Sequence, residues 1–257
     1  MKKIIYAALT SLCLSAMALA AELKVGATPL PHAHILQSVV PMLKKQGIDL
    51  KIVEFNDYVT PNVALEDGSL DANFMQHLPY LEKMNKDKNL HLVSVAQIHV
   101  EPLGIYSKKL RSLRELKEGA LISIPSDPSN LARALILLHN NDVIRLKDPN
   151  NLATTQHDIR QNPKKVKIRP IEAGLLPKTL HDVDAAVING NFALQAGLST
   201  SDALGLEDSR SAYANIIAVR AGDENRSEII KLKEALQSPE TRAFIEQKYK
   251  GEIIPVF

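Results

Sequence analysis

The stretch from Glu22 to Phe55 constrains the fold more than any other part of the chain. Glu22 to Val25 reads as a short strand that ends in Gly26-Ala27-Thr28-Pro29. Ile35, Val39, Val40 and Leu43 then recur at helical spacing, and Lys44-Lys45-Gln46-Gly47 forms the stop signal. Leu50 to Phe55 (LKIVEF) alternates as a second strand. Strand, helix and strand within about thirty residues make a βαβ unit, which demands a parallel sheet.

The alternation continues. Tyr58 to Leu65 reads as a helix, Asp67-Gly68-Ser69 as a turn, Leu70 to Phe74 as a strand and Leu78 to Lys86 as a helix. Leu92 to Val100 is a strand, and Leu103 to Ser107 extends it past Glu101-Pro102. A long extended segment of this kind can pass from one lobe to another, with Pro102 and Gly104 at the hinge. Beyond it come a short helix at Leu113–Lys117, the Leu121–Leu138 unit, and a polar stretch at 144–167 read as loops with one short helix around 153–162. Val166–Ile171 and Asp184–Ile188 follow as strands, then a helix starting at Phe192. Ile216–Arg220 reads as a strand that returns to the first lobe, ahead of two amphipathic helices at Glu228–Leu236 and Pro239–Lys248. The 257 residues are enough for two cores. The expected layout is an α/β protein with residues 21–105 and 215–257 in one lobe, 106–214 in the other, and two crossings between them. Such a pair closes on a ligand by hinge motion.

The run Leu121–Leu138 (LISIPSDPSNLARALILL) supplies the chemistry. A short apolar strand meets Pro125-Ser126-Asp127-Pro128, with Asp127 placed to cap a helix and Pro128 at its first position. Leu131, Ala134, Leu135 and Leu138 form the buried stripe, and Arg133 lies on the far side. The general preference of charged groups for water makes Arg133 a surface residue. Its place just past a strand–turn–helix junction, where free N–H groups and positive dipole gather, makes it a seat for a carboxylate.

Residues 1–20 read as an export signal: Lys2 and Lys3, a mostly apolar run from Ile4 to Leu19, and Ala18-Leu19-Ala20 as a small-x-small cleavage site. Cleavage after Ala20 removes two lysines and no acid from 31 basic and 29 acidic residues, leaving 29 of each. That balance gives no basic footprint for nucleic acid or acidic lipid. Cys13 is the only cysteine and lies inside the signal, so a mature chain has neither disulfide nor thiol chemistry. Leu12 before it is larger than the residue that a lipid-attachment motif calls for, so the expectation is an unmodified Cys13 and a soluble exported protein.

Catalysis has no support in the motifs. There is no G-x-S-x-G elbow, no P-loop and no G-x-G-x-x-G. His32 and His34 stand two apart, without a third ligand nearby in sequence and without H-E-x-x-H, so no metal and no cofactor is expected. An effector domain of a transcription factor shares such a layout, but here an export signal stands where a DNA-binding module would. A binding module remains. Its polar candidates fall at strand ends, where α/β folds place ligands: Asn189 and Asn191 after DAAVI, Asn215 before IIAVR, Arg133 after LISIP, and His99 on the crossing. Aromatic groups cluster apart at Tyr58, Phe74, His77 and Tyr80.

The runs GATPLPHAHIL, EFNDYVTPN, GSLDANFMQHLPYL, HVEPLGIYS, IPSDPSNLARAL, DAAVINGNFALQAG and AYANIIAVR, in this order and spacing, resemble the methionine-binding subunit of bacterial methionine ABC importers. The resemblance implies a two-lobed periplasmic binding protein fold of the type II kind, a monomer that holds an amino acid in its cleft and passes it to a membrane permease and its ATPase. Residue by residue it implies that Arg133 takes the ligand carboxylate, that Asn189 or Asn191 with Asn215 bonds the amino and carboxylate groups, and that Tyr80, Phe74, His77, His99 and Tyr58 wall the side-chain pocket. The family often carries a lipidated Cys at its mature start, usually has Gly where Leu30 stands, and has an acid where His34 stands. The last two departures flank the cleft-side turn and leave D-methionine, a methionine-containing dipeptide or another apolar amino acid as alternative cargo. From another class, an exported enzyme or adhesin could reuse the same fold.

Overall fold

A computed structural model describes residues 20–208 and 212–257. The export signal up to residue 19, with Cys13, lies outside the described residues. Among the described residues no helix is long and apolar enough to cross a membrane.

The opening βαβ unit forms as its periodicity dictates. β1 (Ala21–Ala27) runs into a tight turn at Pro29–Ala33, then α1 (His34–Lys45), then β2 (Ile48–Glu54). The two strands pair in parallel from Ala21 opposite Ile48 to Ala27 opposite Glu54. Gly47, at φ +78°, lets the chain reverse after α1 in a conformation that a side chain would strain. α2 (Thr60–Glu66) and β3 (Ala72–His77) follow, with β3 parallel to β1 on its other side. The helix expected from Tyr58 begins at Thr60 because the Asp57 carboxylate accepts the N–H groups of Val59 and Thr60, both at 2.7 Å. That cap leaves Tyr58 outside the helix. α3 (Leu78–Lys88) and β4 (Leu92–Val100) complete the first passage through this lobe.

The second lobe contains β5 (Gly104–Tyr106), β6 (Leu121–Pro125), α4 (Pro128–Asn140), the strands β7 (Arg145–Leu146) and β8 (Ile159–Gln161), β9 (Lys167–Ile171), α5 (Leu176–Thr179), β10 (Ala185–Ile188), α6 (Gly190–Gln195) and β11 (Gly205–Leu206). The 144–167 stretch, read as loops with one helix, is instead bracketed by the small β7–β8 pairing, with one 3₁₀ turn at Gln156–Asp158. The chain returns through β12 (Asn215–Arg220) to α7 (Ser227–Leu236), α8 (Pro239–Tyr249) and β13 (Ile254–Pro255).

Two main sheets result, ordered β13-β4-β12-β3-β1-β2 and β11-β5-β10-β6-β9. The protein is a two-lobed α/β molecule with two chain crossings, as expected from the sequence. The returning strand β12 inserts antiparallel between β3 and β4, which sets Asn215 opposite His77 on one side and His99 on the other. One face of the first sheet packs Leu23, Val25, Phe74, Ile98 and Ile217 against Ile35, Leu36, Val39 and Leu43 of α1 and Leu232 of α7. The second lobe buries Ile105, Ile122, Ile124 and Val187 against Leu135 and Leu138 of α4. Each such side chain contributes about 1.5–3 kcal/mol by leaving water. These cores hold the strand ends rigid where the lobes face one another.

Candidate functional site

α4 starts as its sequence dictates. Asp127 is extended, and its carboxylate accepts the N–H of Asn130 at 2.9 Å, with Pro128 next in line. The helix is not polar on its far side: Arg133 is 4% exposed, so the surface reading of this residue is overturned. Its Nε donates to Oε1 of Glu207 at 2.9 Å, and its Nη2 donates to Oε2 of Glu207 and to the carbonyl oxygen of Glu101 at 2.9 Å. The guanidinium carbon stands 4.5 Å from the ring centre of Tyr213. A buried guanidinium needs this many partners.

Arg133 lines a cavity between the lobes with Tyr58, His77, Tyr80, Asn189, Asn191 and Asn215, and with Met75, Gln76, Glu101, Asn130 and Gly190. The lobes close tightly over it, and the free space left is about 20 Å³, room for roughly one water molecule. The lobes also meet at the rim, where a Cβ on Gly174 would lie 3.3 Å from the carbonyl oxygen of Asn56.

A hydrogen-bond relay sets which atom each amide turns to the cavity. Asn130 gives its NH₂ to the Asp127 carboxylate at 3.1 Å, so its Oδ1 is an acceptor. That oxygen receives His77 Nε2–H at 3.1 Å and Asn189 Nδ2–H at 2.9 Å. Burial first, then the charge of Arg133, lowers the His77 pKa to about 3, so the ring is neutral and its Nδ1 is free to accept the N–H of Tyr80 at 3.2 Å. On the other wall the Tyr58 hydroxyl donates to Asn191 Oδ1 at 2.6 Å. Two buried atoms then have no partner: Asn189 Oδ1, an acceptor, and Asn191 Nδ2, a donor. Unpaired buried atoms of opposite polarity lining one cavity are costly unless something occupies them.

Phe74 and His99, expected in the side-chain wall, do not reach the cavity. Both are fully buried behind it. Phe74 points into the core of the first lobe. His99 Nε2 donates to Oε1 of Glu101 at 2.7 Å, and His32 Nε2 approaches the same oxygen at 3.1 Å. The pair His32 and His34 is split by the turn. His34 turns to the Tyr249 hydroxyl at 3.0 Å, and with Leu30 it lines a separate surface groove, so neither departure in that turn touches the cavity. His32, His99 and Glu101 hold three ligand-type atoms within 4.8 Å of one another, a grouping that sequence spacing does not reveal. Burial lowers the pKa of His32 to about 4 and that of His99 to about 3, so both rings are neutral. The three atoms already engage one another, as two imidazole N–H donors on one carboxylate oxygen.

The site therefore offers a guanidinium, an amide donor, an amide acceptor and aromatic walls. Tyr58 packs against Tyr80 with ring centres 5.8 Å apart and against Phe192 at 5.1 Å. A model of the NlpA lipoprotein family matches residues 23–257. The chain belongs to the NlpA lipoprotein family. It is 42% identical over 233 residues to membrane lipoprotein TpN32 of Treponema pallidum, covering 90% of this chain and 87% of that one. It is 42% identical over 222 residues to the D-methionine-binding lipoprotein MetQ of Salmonella typhi, covering 85% and 81%. Among solved structures, a nutrient binding protein from Burkholderia cenocepacia bound to methionine superposes with a TM-score of 0.88 at 45% identity, covering 91% of this chain and all of that one.

Proposed function

We propose that this member of the NlpA family captures methionine in its inter-lobe cavity and delivers it to an ABC importer. The observation that carries the reading is the pair of unpartnered atoms beside Arg133: Asn189 Oδ1 matches a ligand ammonium, and Asn191 Nδ2 matches a ligand carboxylate. An α-amino acid presents both charges within one residue's reach. Tyr58, Tyr80 and Met75 enclose the tail, where a thioether gains roughly 0.3–1.5 kcal/mol per aromatic contact. In this assignment Arg133, Asn189, Asn191 and Asn215 read the head group, Tyr58, Tyr80 and His77 wall the tail, and Phe74 and His99 support the wall from behind. Glu101 adds a carboxylate that the sequence reading did not place in the cavity. We assign residues 21–105 and 215–257 to one lobe and 106–214 to the other, although β5 (Gly104–Tyr106), which straddles that boundary, pairs within the second sheet.

The relatives' names bear on two further points. TpN32 and MetQ are named lipoproteins, which weighs against an unmodified Cys13, so we propose that a lipid on this only thiol anchors the chain to the membrane, despite Leu12. The mass of the mature protein decides between an acylated Cys13 and a cleaved Ala21. The relative named for D-methionine makes the stereoisomer an experimental question. Mass spectrometry of the small molecule released on denaturation, followed by calorimetric titration of stripped protein with L- and D-methionine, tests the reading. Release of another solute and no heat from either isomer would refute it.

A further inference from the structure

His32 does not line the cavity, yet it touches two groups that do. It sits in the Pro29–Ala33 turn, 1% exposed, edge-on to Phe74 with ring centres 4.7 Å apart. Its Nδ1 lies 2.7 Å from the Thr28 hydroxyl. Its Nε2 lies 3.1 Å from Asn215 Oδ1 and 3.1 Å from Glu101 Oε1. Two oxygen acceptors on one side fix the tautomer: Nε2 carries the proton, and the Thr28 hydroxyl donates to Nδ1. Asn215, in the cavity wall, thus has its carbonyl oxygen committed to His32, and its NH₂ is the polar end left for the cavity. The same imidazole N–H supports Glu101, whose backbone carbonyl receives Arg133.

We infer that His32 is a positioning residue for ligand recognition, one that orients the Asn215 amide so that its NH₂, and not its oxygen, meets the ligand carboxylate. This rests on the proposed amino-acid site. Without the imidazole donor the amide is free to rotate, and its oxygen then faces a carboxylate as a second acceptor. The effect is confined to the acid end of the ligand. A purely structural role for His32 would disturb the whole cavity instead.

Calorimetric titration separates these. The ligands are methionine, in whichever isomer the wild type binds, and methioninol of the same configuration, which keeps the amine and tail but lacks the carboxylate. The variants are His32→Gln, whose amide nitrogen reaches about where Nε2 sits, and His32→Asn, which reaches only the Nδ1 position. His32→Gln should stay near wild type. His32→Asn should weaken methionine roughly tenfold or more, the worth of one hydrogen bond to a charged group, and leave methioninol unchanged. On an Asn215→Ala background, His32→Asn should add no further loss. Equal losses for both ligands, equal losses in both variants, or additive losses with Asn215→Ala would overturn the inference. A wild-type protein that binds neither compound would overturn the ligand reading itself.

Discussion

The carboxylate of Glu207 grips Arg133 from the side, Oε1 accepting from Nε at 2.9 Å and Oε2 from Nη2. The two groups are 74 positions apart in sequence, and both are removed from most of their solvent. An ion pair so placed orients the fork more than it stabilises the fold. Removing one partner strands the other charge. Glu207→Ala is expected to lower unfolding free energy by about 3–5 kcal/mol, measured by denaturant melts. Arg133→Ala is expected to cost a similar amount of stability and about 2–5 kcal/mol of ligand affinity, since a desolvated carboxylate loses its partner. Unchanged affinity in Arg133→Ala would remove the guanidinium from the site.

Tyr58 controls the polarity of the second wall through one hydroxyl. With Tyr58→Phe the ring contacts to Tyr80 and Phe192 remain, but Asn191 Oδ1 loses its donor. The Asn191 amide is then no longer held with its NH₂ outward. Affinity for the amino acid is expected to fall by about 0.5–1.5 kcal/mol, the net worth of a hydrogen bond, with little change in preference among side chains. Titration with methionine and norleucine checks both halves: a changed ratio between them would mean that the Tyr58 hydroxyl, and not only its ring, acts on the tail.

Acid should destabilise the protein well above the usual carboxylate range. His32, His77 and His99 are buried and neutral, with pKa values lowered to about 4, 3 and 3 chiefly by desolvation. In the unfolded chain they take protons near pH 6.5. Below that pH the unfolded state binds more protons than the folded state, so stability falls as pH falls, until the folded values near 3 to 4 are reached. Each imidazole contributes up to about 1.4 kcal/mol per pH unit in that window. Glu101 and Asp127, whose carboxyls burial pushes up, act in the opposite sense and offset part of the loss. Thermal melts at pH 7 and pH 5 should show a clear drop at the lower pH, and an equal or higher melting temperature at pH 5 would contradict the neutral-imidazole assignment.

Much of this was legible in the chain because it is local. Periodicity and caps set the βαβ unit and α4, and strand-end position marked Arg133, Asn189, Asn191 and Asn215 as a group. The partners of those residues were not legible, because they are set by distance in space. Glu207 follows a two-residue strand, β11, with no periodic signal, and Glu101 looks like an ordinary hinge residue beside Pro102. Phe74 and His99 were assigned to the wall by family resemblance, with aromatic clustering for Phe74 and a place on the crossing strand for His99. The bulge in the pairing of β3 with β12 shifts the register between Ile216 and Ile217, and Met75, Gln76 and His77 line the cavity while Phe74 faces the core. The relay Asp127–Asn130–Asn189 needs three residues from two turns, and only the first pair is close in sequence.

Gly190 offers a test of how closely α6 must approach the crossing. A Cβ there would lie 2.8 Å from Cβ of Glu101 and 3.2 Å from the carbonyl oxygen of Pro102. Neither is the far end of a flexible side chain, so relief requires α6 to move, and Asn189 and Asn191 flank the position. Gly190→Ala is expected to cost about 1–3 kcal/mol through overpacking and to weaken ligand binding as well, because the unpartnered amide atoms shift with the helix. Gly119 is the contrast. Its φ of +75° strains any side chain, but nothing stands within 4 Å of a Cβ there, and it lies outside the cavity wall. Gly119→Ala should lose stability by about 1 kcal/mol or somewhat more with affinity intact. Paired melts and titrations on the two variants check the point: affinity loss in both, or in neither, would mean that the approach of α6 to Glu101 does not set the geometry of the site.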